Sequence, residues 1–180
     1  SVALDPAFGL AHAHYALLTA LSMNIGVLPS DAGHTQEALG AARQAMVLDD
    51  GSSEVLGYAG CALCDLGQRD QGVEVLQRAL EIDPSNAQAH VALGASWVLA
   101  GQLQAGIEKM RYGMKISPRD RRLGFWGWAL GVFLLRAERL DEALVEARAS
   151  SRRDPRFPLP RVLEAALLDR LGQPAEARVA

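Results

Sequence analysis

The stretch R-A-L-E-I-D-P-S at residues 78–85 decides the fold, because a related stretch, G-M-K-I-S-P-R, follows at residues 113–119. Pro84 and Pro118 lie 34 residues apart. A repeat of about this length is typical of stacked helix–turn–helix units, none of which can bury its apolar face alone. The sequence therefore predicts an all-α array of helix pairs, and this architecture favours binding over catalysis.

The composition is that of a folded protein and argues against several other classes. The chain has 180 residues, of which 49% are hydrophobic, so it can bury a sizeable core. No apolar run approaches the roughly 18–20 residues that a membrane span needs. The N-terminus does not resemble a secretory signal, and two cysteines cannot form a disulfide framework. We therefore expect a reducing, cytoplasmic environment.

The charges are distributed unevenly along the chain. The formal net charge is −3, but residues 1–90 carry 3 basic and 11 acidic side chains, whereas residues 91–180 carry 15 and 10. An elongated array with this distribution has an electrostatic dipole along its axis, which can orient a partner or a second copy of the chain.

Small residues recur in phase with the prolines, at the positions where antiparallel helices must approach closely. Three successive units carry them: Gly60, Gly72 and Ala79; Gly94, Gly106 and Gly113; Gly131, Ala143 and Ser150. This pattern resembles the tetratricopeptide repeat (TPR) family over essentially the whole chain. The resemblance implies a TPR-type α-α superhelix, a right-handed solenoid of antiparallel helix pairs with about 9–10 helices.

The repeat boundaries predict one solenoid domain over residues 1–180. Gly67 and Gly101 are suited to the turn inside a unit, and Asp83-Pro84 and Asp154-Pro155 to the end of its second helix. In the first complete unit we expect helices at about residues 8–24 and 35–48. Both ends of the sequence read as cuts through a longer array. The units are a partial unit at 1–6, complete units at about 7–52, 53–86, 87–123 and 124–157, and a truncated unit at 158–180.

Four short motifs point to one bacterial subgroup of TPR proteins. They are I-S-P-R-D at 116–120, L-G-F-W-G-W-A-L at 123–130, L-D-E-A at 140–143 and R-R-D-P-R-F-P at 152–158. They are similar to TPR segments appended to class III adenylate/guanylate cyclases or to winged-helix transcriptional regulators. This resemblance implies a catalytic or DNA-binding domain before residue 1, so no active-site residue is carried over to this chain.

The cysteines and histidines do not form a recognisable reaction centre. Cys61 and Cys64 form a C-x-x-C motif in the middle of a predicted helix, whereas redox motifs need an exposed helix N-terminus. We interpret both cysteines as structural or groove-lining residues. His12 and His14 are too close in sequence for the i, i+4 pair of metalloprotease helices, and His90 occupies a core position. We therefore expect no enzyme activity, no cofactor and no metal.

A weaker hypothesis is nucleic-acid binding through the turns between units. Arginines cluster there close to aromatic residues, and basic–aromatic interleaving is typical of single-strand binding. Helix packing needs the same aromatic residues, so this hypothesis ranks below protein binding. The arginines are Arg119, Arg121, Arg122, Arg152, Arg153, Arg156 and Arg161.

The expected binding surface is the face formed by the first helix of each unit. It is mostly apolar with isolated charges, which suits an amphipathic helix or an extended hydrophobic segment of a protein partner. The alternative is homodimerisation that brings two parent domains together. The predicted groove residues are Tyr15, Leu18, Cys61, Cys64, Asp65, Val91, Ala95, Val98, Phe125, Trp128, Val132 and Arg136.

Overall fold

The computed structural model describes residues 5–177, apart from the side chain of Pro174. Within that range the protein contains ten α-helices and no β-strand, which confirms the predicted all-α fold. Most of the predicted partial unit at residues 1–6 and the end of the truncated unit lie outside the described residues. The helices are α1 (Gly9–Asn24), α2 (Ala32–Leu48), α3 (Ser53–Asp65), α4 (Arg69–Ile82), α5 (Ala87–Leu99), α6 (Leu103–Ile116), α7 (Leu123–Arg136), α8 (Leu140–Arg153), α9 (Leu159–Arg170) and α10 (Pro174–Ala177).

The helices fall into two compact units, each larger than one sequence repeat. The first ends at Ser96 and the second begins at Trp97, and the terms first unit and second unit refer to these two parts below. In the first unit α1 packs against α2 and α3, and α3 packs against α4. Alanines dominate its core, which lets the helix backbones approach closely while a few large side chains fill the remaining space. The core residues are Ala13, Ala16, Leu17, Leu39, Ala42, Ala45, Val55, Tyr58, Ala59, Ala62 and Leu63.

In the second unit α7 is the central element. It packs against α6, α8 and α9, and α9 also packs against α8 and α10. Leu130 and Leu134 of α7 are fully buried, together with Ala143 and Ala147 of α8. Their spacing of four residues places each pair on one face of its helix, as the 3.6-residue helical period requires.

Five helices end in the same type of turn. The second residue after the helix has a left-handed backbone, and the N–H of the residue that follows it donates to the carbonyl five residues back, as in a Schellman motif. This conformation is adopted by four glycines and one glutamate: Gly26 (φ 76°), Gly67 (φ 84°), Gly101 (φ 89°), Gly172 (φ 74°) and Glu138 (φ 55°). The bonds run from Val27 to Ser22, Gln68 to Leu63, Gln102 to Trp97, Arg139 to Leu134 and Gln173 to Leu168, at 2.8–3.0 Å.

Helix α2 begins at Ala32, earlier than the predicted start near Thr35. The reason is the side chain of Asp31, which accepts a hydrogen bond from the His34 backbone N–H at 2.9 Å. An aspartate at this position satisfies one of the free N–H groups of the first helical turn and stabilises a start at residue 32.

Candidate partner-binding surface

An aromatic cluster lies on one face of α7. Phe125 and Trp128 lie one helical turn apart, with ring centroids separated by 5.5 Å. Phe157, from the segment between α8 and α9, lies 5.6 Å from Trp128 in an edge-on arrangement and 6.0 Å from Phe125. All three side chains are only half-buried. The cluster therefore presents aromatic surface to the surroundings while its rings hold one another in place.

The same face of α7 continues towards its C-terminus. Val132 and Arg136 follow Trp128 at steps of four residues, so the three side chains lie along one side of the helix. Val132 is half-buried and Arg136 is exposed. Trp126, in contrast, is only 3% exposed and belongs to the core. Phe125, Trp128, Val132 and Arg136, all predicted from the sequence, therefore form one stripe, which we call the α7 stripe.

In the first unit, the predicted residues Tyr15 and Leu18 lie on α1 with 39% and 61% of their surfaces exposed. The Tyr15 hydroxyl donates to Glu37 Oε1 of α2 at 2.7 Å. This hydrogen bond to a carboxylate raises the pKa of Tyr15. Tyr15 is therefore oriented by α2, whereas Leu18 presents a bare aliphatic side chain.

The C-x-x-C motif lies inside α3, and both cysteines are half-buried thiols that are not joined in a disulfide. Burial raises the pKa of the Cys64 thiol to about 11. Because the thiolate is the nucleophile in disulfide exchange, Cys64 is in the unreactive thiol form at neutral pH. Within residues 5–177 no group of three or more His, Cys, Asp and Glu side chains is arranged to hold a metal ion.

Asp65, the last residue of α3, is a half-buried carboxyl group. Burial raises its pKa to about 6, because an ionised carboxylate loses hydration there. The negative end of the α3 dipole acts in the same direction. Among the predicted groove residues, Asp65 is thus the one whose charge changes just below neutral pH.

The predicted residues on α5 are less accessible. Val91 and Val98 are each 5% exposed, and Ala95 is half-buried. Val91 and Val98 therefore contribute mainly to packing in this structure. His90, expected in the core, is 6% exposed, and its Nε2 lies 2.9 Å from the Pro84 carbonyl oxygen.

Two residues that the sequence did not single out have clear roles. Phe157 completes the aromatic cluster, although it lies outside the helix positions used for the prediction. Asn86 precedes α5, and its Oδ1 accepts the Ala89 N–H at 2.9 Å. Its Nδ2 donates to the backbone and side-chain oxygens of Ser53, both at 2.8 Å, and so joins α5 to α3. The helix-capping preference of asparagine could have identified Asn86.

The arginine-rich turns are partly paired within the protein. Arg122 forms an ion pair with Asp120 at 2.6 Å, and its guanidinium lies 4.6 Å from the centroid of the Trp126 ring. Arg156 approaches Asp154 at 3.9 Å. Local pairing reduces the positive charge that these turns offer to a phosphate backbone, and this weakens the nucleic-acid hypothesis. In the part of the chain that is described, no helix combines the length and apolarity needed to cross a membrane.

Comparison with known proteins identifies the repeat and the fold. A family model described as a TPR repeat matches residues 60–98. No curated protein sequence matches the chain significantly. Among solved structures, Pseudomonas aeruginosa pilF covers 93% of this chain and 72% of its own, with 16% identity and a TM-score of 0.68.

MamA structures show the same likeness. One MamA crystal structure covers 81% of this chain and 83% of its own, with 19% identity and a TM-score of 0.64. MamA from Desulfovibrio magneticus covers 93% and 89%, with 18% identity and a TM-score of 0.62. At these identities the likeness is one of fold. The chain is therefore similar to a TPR repeat over residues 60–98, and it shares its all-α fold with these solved structures.

Proposed function

We propose that this chain is a protein-interaction module in which the α7 stripe binds an amphipathic helix or an extended apolar segment of a partner. The observation that supports this most strongly is the half-buried cluster of Phe125, Trp128 and Phe157. Aromatic side chains that are already held in place lose little conformational freedom on binding and often dominate binding energy. Arg136, at the end of the stripe, would orient an acidic group of the partner.

The exposed side chains of α1 would provide a second contact area in the first unit. Tyr15 and Leu18 lie three residues apart and offer an apolar strip with one hydroxyl group. Removing apolar surface from water contributes roughly 25 cal/mol per Å². A partner segment that covers Tyr15 and Leu18 would therefore gain binding free energy in proportion to the apolar area it buries.

The TPR fold agrees with the prediction that this segment is not an enzyme, because stacked repeats of this kind provide binding surfaces. We place the segment in a cytoplasmic bacterial signalling or regulatory protein, next to a cyclase-like or winged-helix domain. The support for this context is the sequence resemblance in residues 116–158.

The test is capture of the partner by the full-length protein carrying Trp128→Glu. The control is Val145→Glu on α8, which changes the charge equally at a site that is 64% exposed. We expect Trp128→Glu to abolish capture and Val145→Glu to leave it intact, with helical content retained in both by circular dichroism. Capture that survives Trp128→Glu, in a protein shown to be folded, would rule out the α7 stripe.

Homodimerisation is a second candidate, and the exposure of Phe8 (51%) and Leu18 (61%) favours it. Both residues lie at or near α1, where a second copy could cover them. Molar mass measured by light scattering over a dilution series separates this candidate from binding of another protein. A dimer that dissociates on Leu18→Glu supports self-association, and a monomer at all concentrations rules it out.

A further inference from the structure

A pocket of about 340 Å³ opens in the second unit between α6 and α8, with α7 at its base. Its apolar lining includes Met114 from α6 and Leu123 and Leu130 from α7. Charged side chains surround this lining, among them Lys115, Glu146 and Arg153. An apolar base with a few convergent polar groups is the usual composition of a ligand-binding pocket.

The cations around the pocket differ in how they are paired. Arg111 is bound to Glu142 at 2.8 Å, and that carboxylate also accepts from Arg139 at 2.7 Å. Lys115 and Arg153 are exposed, and within residues 5–177 neither lies at ion-pair distance from a carboxylate. The positive charge available to a ligand is therefore that of Lys115 and Arg153.

Gly127 of α7 leaves room for polar groups to converge beside the pocket. A Cβ at this position would clash with Ser150 Oγ and would lie 3.2 Å from Arg153 Nη1 and 3.7 Å from Glu146 Oε2. The Ser150 side chain is completely buried, and its hydroxyl has no hydrogen-bond partner among the described residues. Glu146 is a half-buried carboxyl group, so burial raises its pKa, while Arg153 and Arg111 act in the opposite direction. The pocket thus contains cations and an acceptor in addition to its apolar lining.

We propose that this pocket binds an acidic peptide segment in which a carboxylate follows an aliphatic side chain. Lys115 and Arg153 would bind the carboxylate, since charge-assisted hydrogen bonds are the stronger kind. Glu146 would accept a backbone N–H of the peptide. The aliphatic side chain would pack against Met114, Leu123 and Leu130.

The arrangement favours a peptide over a phosphate or a nucleic acid. The Glu146 carboxylate repels a multiply charged anion such as phosphate, and such an anion makes no favourable contact with the apolar lining. A peptide supplies a carboxylate, an N–H donor and an apolar group within one short segment. The site differs from the α7 stripe, because Leu123 and Leu130 lie seven residues apart on the face of α7 opposite to that of Phe125 and Trp128.

The probe is an N-terminally fluorescein-labelled peptide, Gly-Ser-Gly-Leu-Glu with an amidated C-terminus, titrated with the protein at low ionic strength and followed by fluorescence polarisation. Two further amidated peptides replace either the glutamate by glutamine or the leucine by serine. We expect binding of the first peptide and at least tenfold weaker binding of each of the others. Equal binding of the glutamine peptide, or no binding of the first peptide at millimolar protein, would overturn the proposal.

Matched variants test the site itself. Arg153→Glu and Lys115→Glu should each weaken binding at least tenfold. Arg152→Glu changes the net charge equally at the neighbouring exposed position of α8, outside the pocket, and should weaken binding less than threefold. An equal loss with Arg152→Glu would show general charge attraction and would overturn the proposal.

Two further experiments distinguish an acidic peptide from other possible occupants of the pocket. Inorganic phosphate that displaces the peptide at matched ionic strength would identify a simple anion site and overturn the proposal. Concentration-dependent dimerisation lost on Arg153→Glu would identify a second copy of the chain as the occupant and would also overturn it. Trp128→Glu should leave peptide binding unchanged, so failure of the proposed function and failure of this pocket are distinguishable.

Discussion

Gly72 of α4 faces the backbone of Gly60 in α3 so closely that a Cβ at residue 72 would lie 2.7 Å from the Gly60 carbonyl oxygen. The same Cβ would lie 2.5 Å from Cys64 Sγ and 2.8 Å from the Cys64 backbone nitrogen. Because two of these three neighbours are backbone atoms, a side chain can enter only if the helices move apart. This contact explains why the repeat has its smallest residues at these positions.

We predict that Gly72→Ala destabilises the protein, although alanine has the higher helix propensity. Separating α3 from α4 should cost roughly 1–3 kcal/mol, more than the gain of about 1 kcal/mol from helix propensity. The control is Gly40→Ala in α2, where an added Cβ meets no atom within 4 Å. Urea unfolding followed by circular dichroism should show a lower free energy of unfolding for Gly72→Ala and a higher one for Gly40→Ala. A gain for both would contradict the close packing of α3 and α4.

Glu138 occupies a turn position that glycine occupies in the four corresponding turns. Its left-handed backbone (φ 55°) should cost roughly 1 kcal/mol relative to glycine. Its side chain accepts from Arg170 at 3.0 Å in an exposed ion pair, which contributes little. We therefore predict that Glu138→Gly is more stable than Glu138→Ala by about 1 kcal/mol. Both variants lose the ion pair, so their difference measures the backbone alone, and equal thermal midpoints would contradict this explanation.

Asp65 should make stability fall as the pH rises. Its folded-state pKa of about 6 exceeds the ordinary value of 3.8, so the folded protein binds this proton more tightly than the unfolded chain. Ionising the buried Asp65 carboxyl group therefore lowers the free energy of unfolding. This loss is absent below about pH 4 and complete above about pH 6, and it amounts to at most about 3 kcal/mol. Asp65→Asn should therefore stabilise the protein at pH 7.5 and change little at pH 4. Exposed Glu81→Gln is the control; stabilisation of equal size at both pH values would argue against titration of Asp65.

Asn86 should contribute to stability in two separable ways. Asn86→Ala removes both the helix cap on Ala89 and the two hydrogen bonds to Ser53, and we expect a loss of roughly 2–3 kcal/mol. Asn86→Ser keeps a side-chain oxygen for the helix cap, but its side chain cannot reach Ser53. Its loss of stability should therefore be about half that of Asn86→Ala. Chemical denaturation of the two variants measures the difference. Equal losses would mean that the cap contributes nothing.

The helical architecture could be predicted because it depends on local, periodic features. The spacing of Pro84 and Pro118 sets the repeat length, and Gly67 and Gly101 mark turns that need a left-handed residue. These properties are encoded within single units and need no knowledge of distant contacts. The fold therefore follows from the sequence even where one glycine is replaced, as at Glu138.

The details of the surfaces depend on contacts between elements that are distant in sequence. Phe157 joins Phe125 and Trp128 only after α8 has returned the chain to α7. The pocket combines Lys115 with Arg153, which are separated by α7 and most of α8. The burial of Val91 and Val98, both at predicted groove positions, likewise follows from how the neighbouring helices pack rather than from their own position in the repeat.

The central claim is that a partner contacts the α7 stripe, and site-specific photo-crosslinking tests it most directly. A photoreactive phenylalanine derivative replaces Trp128 in the full-length protein, expressed in its own host. The control carries the same group at Tyr112 of α6, which is 50% exposed. We predict a discrete covalent adduct with another protein from position 128 and none from position 112. Adducts from both positions alike, or from position 112 alone, would contradict the claim.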